Sequence, residues 1–157
     1  MKKQQSLKKF FILIAIWLVT IVAVFAGSIL YDQYQATEYE DVAVPYIEKI
    51  IPEISKWDPV VTKALMAPEV SATIPEENFT QATILFSRLG ALQSMDNPKF
   101  EDVHTGAQAT LGDQTIVEYN VDARYENGDA TINLKLLERN GSFEIYSFNF
   151  SSESLLE

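Results

Sequence analysis

The stretch "YENGDATINLKLLERNGSFEIYSFNF", Tyr125–Phe150, contains the pair Asn-Gly twice, at 127–128 and 140–141. Each pair lies between runs that alternate apolar and polar residues. That alternation is the period of a half-buried strand, and Asn-Gly supplies the positive backbone dihedrals a two-residue hairpin turn needs. In "ATINLKL" the residues Ala130, Ile132, Leu134 and Leu136 share one face. Upstream, in "TIVEYNVDARY", Val117, Tyr119, Val121, Ala123 and Tyr125 face one way, and Glu118, Asn120, Asp122 and Arg124 the other. In "EDVHTGAQATL" the matching set is Val103, Ala107, Ala109 and Leu111, with Gly112-Asp113 as the first turn. The expectation is a four-stranded antiparallel meander with one dry face, which the preceding helices must cover.

The last strand breaks its own pattern. Phe143 and Ile145 share a parity that Phe148 and Phe150 oppose. A one-residue bulge near Tyr146-Ser147 returns all four to the core face, because a slip of one residue flips every side chain. The alternative is a strand covered on both faces.

Before the sheet the period is helical. Val42, Ala43, Tyr46, Ile47, Ile50, Ile54 and Trp57 recur at helix spacing in "VAVPYIEKIIPEISKWDP". Pro45 suits the first turn of a new helix, Pro52 should bend it, and Asp58-Pro59 should end it. A short helical stretch, "VVTKALMAP", follows. Thr73-x-x-Glu76 with Pro75 then reads as a capping box opening a helix. Phe79, Ala82, Leu85, Phe86 and Leu89 form its buried stripe, and Gly90 its stop.

The N-terminal part differs in kind. "FFILIAIWLVTIVAVFAGSIL", Phe10–Leu30, is 21 residues without a charge. As a helix it measures roughly 31 Å, against about 30 Å of bilayer hydrocarbon. Lys2, Lys3, Lys8 and Lys9 precede it and no lysine follows before Lys49, which orients the N-terminus to the cytoplasm. The expected organisation is a basic tail (1–9), a transmembrane helix (10–30), a stalk or helical continuation (31–41) and an exported α+β domain (42–157), periplasmic or extracellular. Val24-Phe25-Ala26 also offers a signal-peptidase cut after Ala26, but the apolar run exceeds the roughly 7–15 residues of a signal core and continues through Ile29 and Leu30.

Composition removes several function classes. The chain of 157 residues has no Cys and one His, His104. That excludes disulfide scaffolds, thiolate metal sites and Cys nucleophiles, and leaves no His-rich metal site. With four of the 12 basic residues ahead of Phe10, eight remain against 22 acidic ones, a charge of −14 beyond the anchor. Such a surface repels phosphate backbones, so no nucleic-acid partner is expected. Glu101, Asp102 and His104 are the nearest approach to a catalytic cluster. In an extended strand Asp102 and His104 lie opposite Val103, facing solvent. There is no phosphate loop, no nucleophile elbow and no calcium loop, so no catalytic residue, metal or cofactor is assigned. The sequons at Asn78, Asn140 and Asn149 follow a Met-Lys-Lys start of bacterial style and are read as chance.

Helices followed by a curved antiparallel sheet, closing on "YENGDATINLKLLERNGSFEIYSFNF", resemble the cystatin-like/NTF2-like α+β superfamily. Together with "PYIEKIIPEISKWDP", "LMAPE" and "FSRLGALQSM", that ending is similar to a group of single-pass, membrane-anchored bacterial proteins. The resemblance covers roughly residues 40–152 and implies a sheet wrapped into a cone. NTF2-like enzymes carry acidic or His/Asp groups inside that cone, whereas the inward positions here are Val, Ala, Leu, Ile, Phe and Tyr. The expected function is therefore non-catalytic binding of a protein partner at the membrane or of a small apolar ligand. The alternative is an NTF2-like isomerase or hydrolase using a buried carboxylate. Tyr46, Trp57, Tyr119 and Tyr125 offer flat apolar surface with a polar handle and are the candidate ligand-binding residues. The same side chains would equally fill the space between helix and sheet.

Overall fold

The computed structural model describes residues 2–108 and 112–156, with the side chains of Ile14, 16–24, Ala26, 37–106 and 114–156. Helix α1 (Lys2–Ile54) is followed by α2 (Pro59–Ala64), α3 (Pro68–Ser71) and α4 (Glu76–Ser87). Strands β1 (Leu92–Met95), β2 (Lys99–Gln108), β3 (Gly112–Tyr125), β4 (Gly128–Arg139) and β5 (Ser142–Ser151) follow, and a 3-10 turn (Glu153–Leu155) closes the chain. Two units separate, Met1–Glu38 and Tyr39–Glu157. The first unit is helical and carries exposed Ile16, Trp17, Leu18, Val19, Val22 and Val24. Among the described residues no helix is long and apolar enough to cross a membrane, and part of the span read at Phe10–Leu30 lies outside the described side chains.

The second unit is an open antiparallel sheet covered by helices. Its five strands run β1-β3-β4-β5, with β2 also on β3. One edge of β3 thus carries two strands in succession: β1 opposite Ala123–Tyr125, and β2 opposite Gly112–Asn120. The expected four-stranded meander is corrected here: a fifth strand, β1, precedes the expected first strand and pairs with the same edge of β3. Pro98 has no N–H to give the ladder, and Asp96 N–H, two residues earlier, donates to Asp122 O at 2.8 Å.

The inner face follows the alternation. Val117, Tyr119, Val121, Ala123, Tyr125, Ala130, Ile132, Leu134 and Leu136 are all buried. Lys135 pairs with Ser147 but Leu136 pairs with Ile145, so Tyr146 is the extra residue of the expected bulge. Phe143, Ile145 and Phe150 are buried as a result. Leu137, of opposite parity to Leu136, is also fully buried, between Ile116 and Glu144 in the register, so the sheet is dry on both faces at that point.

The turns depart from expectation in two places. Asn140 (φ 54°) and Gly141 (φ 75°) form the second hairpin turn as expected. At the first, Tyr125 pairs with Gly128, so the turn residues are Glu126-Asn127 and Gly128 opens β4 at φ 151°. The displacement has a cause. Asn127 N–H donates to Leu89 O (2.9 Å), Glu126 N–H to Ala91 O (2.9 Å) and the Asn127 amide to Arg88 O (2.8 Å), so the turn satisfies carbonyls at the end of α4. Gly112 and Asp113 pair with Gln108 and Ala107 inside the ladder rather than turning. The connection lies at 109–111, outside the described residues, as do Ala109 and Leu111 of the expected face.

The helix boundaries need three corrections. Pro45 and Pro52 both lie inside α1 rather than opening a new helix at Pro45. Both prolines, and Asp41 and Glu48 four residues earlier, are exposed, so each freed carbonyl sits on the solvent side. The opposite stripe, Ala43, Ile47, Ile50, Ile51 and Ile54, is buried in the core, each Ile worth about 2 kcal/mol. Asp58-Pro59 does not end α1, which stops at Ile54. It starts α2, the Asp58 carboxylate accepting from Val60 N–H (2.8 Å) and Val61 N–H (3.2 Å). The capping box does not form: Pro75 is the N-cap of α4, and the Thr73 hydroxyl donates to Val70 O (2.7 Å) at the end of α3. In α4, Phe79 is buried and Leu85 is exposed. Leu89, beyond its end, is buried, and Gly90 takes the expected left-handed stop at φ 79°.

Candidate functional site

Trp57 lies between α1 and α2 with φ 59°, a left-handed conformation that costs a bulky residue about 1–2 kcal/mol. Packing offsets that cost. The indole N–H donates to Gly90 O at 2.8 Å, and the ring meets Tyr125 at 5.6 Å and Phe150 at 5.3 Å between centroids. Phe150 in turn meets Phe86 (4.9 Å) and Phe148 (6.0 Å). The Tyr125 hydroxyl and the Ser55 hydroxyl share a buried hydrogen bond of 2.7 Å, tying β3 to the end of α1.

The four candidate aromatics therefore separate. Trp57 and Tyr125 come together in this cluster. Tyr46 is half-buried against Phe143 (6.2 Å), and Tyr119 is buried with Phe100 edge-on at 5.7 Å. Burial pushes the phenols of Tyr46, Tyr119 and Tyr125 up to about 12. Glu144 adds to the rise at Tyr46 and Glu40 at Tyr119, while the Ser55 bond opposes it at Tyr125. Tyr119 and Tyr125 are core side chains. Trp57 lines a recess of about 650 Å³ shared with Pro52, Ser55, Lys56, Gly90, Ala91 and Leu92.

The larger cavity lies at the other end of the same aromatic cluster. It is a cleft of about 890 Å³, within the roughly 300–1,000 Å³ of ligand sites. Its lining includes Leu85 and Phe86 of α4, Met95 of β1, Ala123 of β3, Ala130 of β4, Phe150 of β5, and Leu155 of the closing turn. The register explains the hollow. Met95 pairs with Ala123, which pairs with Ala130, so two inward positions side by side carry only methyl groups. A turn at Asn127-Gly128 would have placed Tyr125 opposite Ala130 instead. The closing turn is fastened beside the cleft: Ser154 Oγ donates to Asn127 O (2.8 Å) and Ser152 Oγ to Asp129 O (2.6 Å).

Charge gathers around this cleft. Asp96, Asp122, Asp129 and Glu153 line it, against one basic residue, Arg124. Lys99 bonds Asp122 (2.7 Å), and with the Thr131 hydroxyl it holds that carboxyl below the usual range. Arg124 pairs with Asp129 at 3.1 Å.

Among the described residues Ser55 and Thr62 are the buried polar residues, and one carboxylate oxygen, Glu144 Oε2, is also buried, 3.3 Å from Arg139 Nη1. His104 stands exposed on the outer face, 3.4 Å from Asp102 and 3.2 Å from Glu118, which Lys135 also contacts. Among the described residues no three His, Asp or Glu gather closely enough to hold a metal ion. No protein-family model, curated protein or solved structure matches the chain.

Proposed function

We propose that the chain is a single-pass, membrane-tethered binding module of the cystatin-like/NTF2-like type, acting without catalysis. Phe10–Leu30 span the bilayer with the N-terminus in the cytoplasm, and the unit from Tyr39 is exported. It engages a protein partner or small apolar ligand through the cleft floored by Ala123 and Ala130. The observation that carries this reading is the cleft itself: a large hollow with a methyl and ring floor and an equally extensive polar border, built by register, is how binding sites are made. The tether is supported by six large apolar side chains, Ile16 to Val24, that stand exposed on their helix. A bilayer is the solvent in which that exposure carries no cost.

Two measurements test the parts separately. A photo-crosslinking side chain replaces Leu85, in the cleft wall, or Val60, exposed on α2 away from it. Irradiation of intact membranes should give discrete adducts from position 85 and none from 60. Equal yields, or none from either, refute the cleft. For the tether, Ser94→Cys should react with an impermeant maleimide in intact cells and Lys3→Cys should not; the chain has no native Cys to interfere. The reverse pattern refutes the orientation.

A further inference from the structure

We infer that the occupant of the cleft is a basic, strand-like segment of a protein partner that pairs with β1 and inserts an apolar side chain between Met95 and Ala130. This rests on the binding reading above and specifies the chemistry of what binds. The floor is methyl and ring surface, so it selects for size and greasiness only. The border selects for sign. Arg124 and Lys99 are each engaged by an aspartate, and Asp96 and Glu153, both exposed, form no ion pair among the described residues. The chain beyond the anchor carries −14 in all. An acidic peptide, an anionic lipid or a second copy of this chain is repelled from such a border, and a cation is drawn to it.

Two observations favour a peptide over a small amphiphilic cation. β1 pairs with β3 alone and stands at the end of the sheet order, so its other side offers backbone donors and acceptors beside the cleft that Ser94 and Met95 line. A strand added there presents alternate side chains to opposite faces, one set to the apolar hollow and the other to the acidic outer face. Leu85 (42% exposed) and Leu156 (87%), both in the cleft lining, present apolar surface to solvent alongside that strand edge.

The test uses the full chain in zwitterionic nanodiscs, with Ser94→Cys carrying an environment-sensitive fluorophore. Three short peptides are titrated: lysines flanking a central Leu, glutamates flanking the same Leu, and lysines flanking Ser. The Lys-Leu peptide should bind at least about tenfold tighter than either other, and weaken as salt is raised. Asp96→Lys with Glu153→Lys should reverse the preference between Lys and Glu peptides. Both residues are exposed, so the reversal leaves the core untouched. Equal binding of Lys and Glu peptides, or a preference that survives the reversal, overturns the inference. So does decylamine competing as tightly as the Lys-Leu peptide, which makes the occupant a small amphiphile. In each of those cases adducts at position 85 leave the binding module standing; their absence removes both.

Discussion

Tyr125→Phe separates a ligand contact from a structural bolt. The substitution removes one oxygen from a side chain that is 2% exposed and leaves the ring against Trp57 and Phe150. What it strips away is the 2.7 Å bond to Ser55, itself 6% exposed, so the Ser55 hydroxyl is left dry without its partner. Orphaning a buried hydroxyl costs about 1–3 kcal/mol, whereas removing both members is close to neutral. Tyr125→Phe and Ser55→Ala should therefore each lose about 1–2 kcal/mol, and the double variant no more than either alone. The coupling of about 1–2 kcal/mol is the signature of the bond. Urea unfolding in detergent reads it, with Trp17→Phe making Trp57 the sole indole reporter. Adducts from position 85 should persist in all three variants, since Tyr125 does not line the cleft. Strictly additive losses, with a coupling under about 0.5 kcal/mol, refute the reasoning. Loss of the adducts in a folded Tyr125→Phe protein would move Tyr125 into the site.

Tyr119 and Tyr125 also set an alkaline limit. Their folded phenols titrate at about 12 against an ordinary 10.0, so the stability they confer is complete below pH 10.0 and drains away as pH climbs through 12. Each is worth up to about 2–3 kcal/mol, and the share of tyrosinate absorbance that disappears in Tyr119→Phe and Tyr125→Phe should arise together with unfolding rather than ahead of it. Gly128→Ala places a methyl 2.1 Å from Ser154 Oγ at φ 151° and should cost about 1–3 kcal/mol in thermal melts. Ser154→Ala in the same chain should recover part of that loss, and full cost in both backgrounds would show that backbone strain alone is responsible. Trp57→Gly relieves about 1–2 kcal/mol of left-handed backbone. It forfeits about 3–5 kcal/mol of ring packing, so a net loss is expected in urea, and a gain would contradict the cluster's weight.

The sheet was legible wherever local chemistry acts alone. Asn140-Gly141 has no neighbour to displace it, and it turns as two such residues turn in a peptide. Parity alone exposes the bulge at Tyr146, because four aromatic and aliphatic side chains cannot otherwise reach one face. Legibility ends where a distant element intervenes. Asn127 serves the carbonyls of Arg88 and Leu89, some 39 residues away in sequence, and the turn moves by one residue to do so. That single step sets Ala123 against Ala130 and creates the cleft, which is why no local pattern announced it. Strand β1, only four residues long and parted from β2 by Asp96–Pro98, falls below any periodicity. Of the four candidate aromatics, Tyr119 and Tyr125 are buried in the core, Tyr46 is half-buried against Phe143, and Trp57 lines the recess of about 650 Å³.

The two rims of the sheet are both broken midway. On one, β1 and β2 are interrupted at Asp96–Pro98, with register shifts at Leu92/Ser94 and Phe100/Asp102. On the other, the Ile145 backbone of β5 already bonds Leu65 and Ala67 through both its N–H and its C=O, beside the bulge at Tyr146. Neither rim is a straight ruler along which an identical neighbour can zip. Edge-to-edge growth of one sheet into the next is thereby blocked, and the open backbone of β1 is too short to carry it alone.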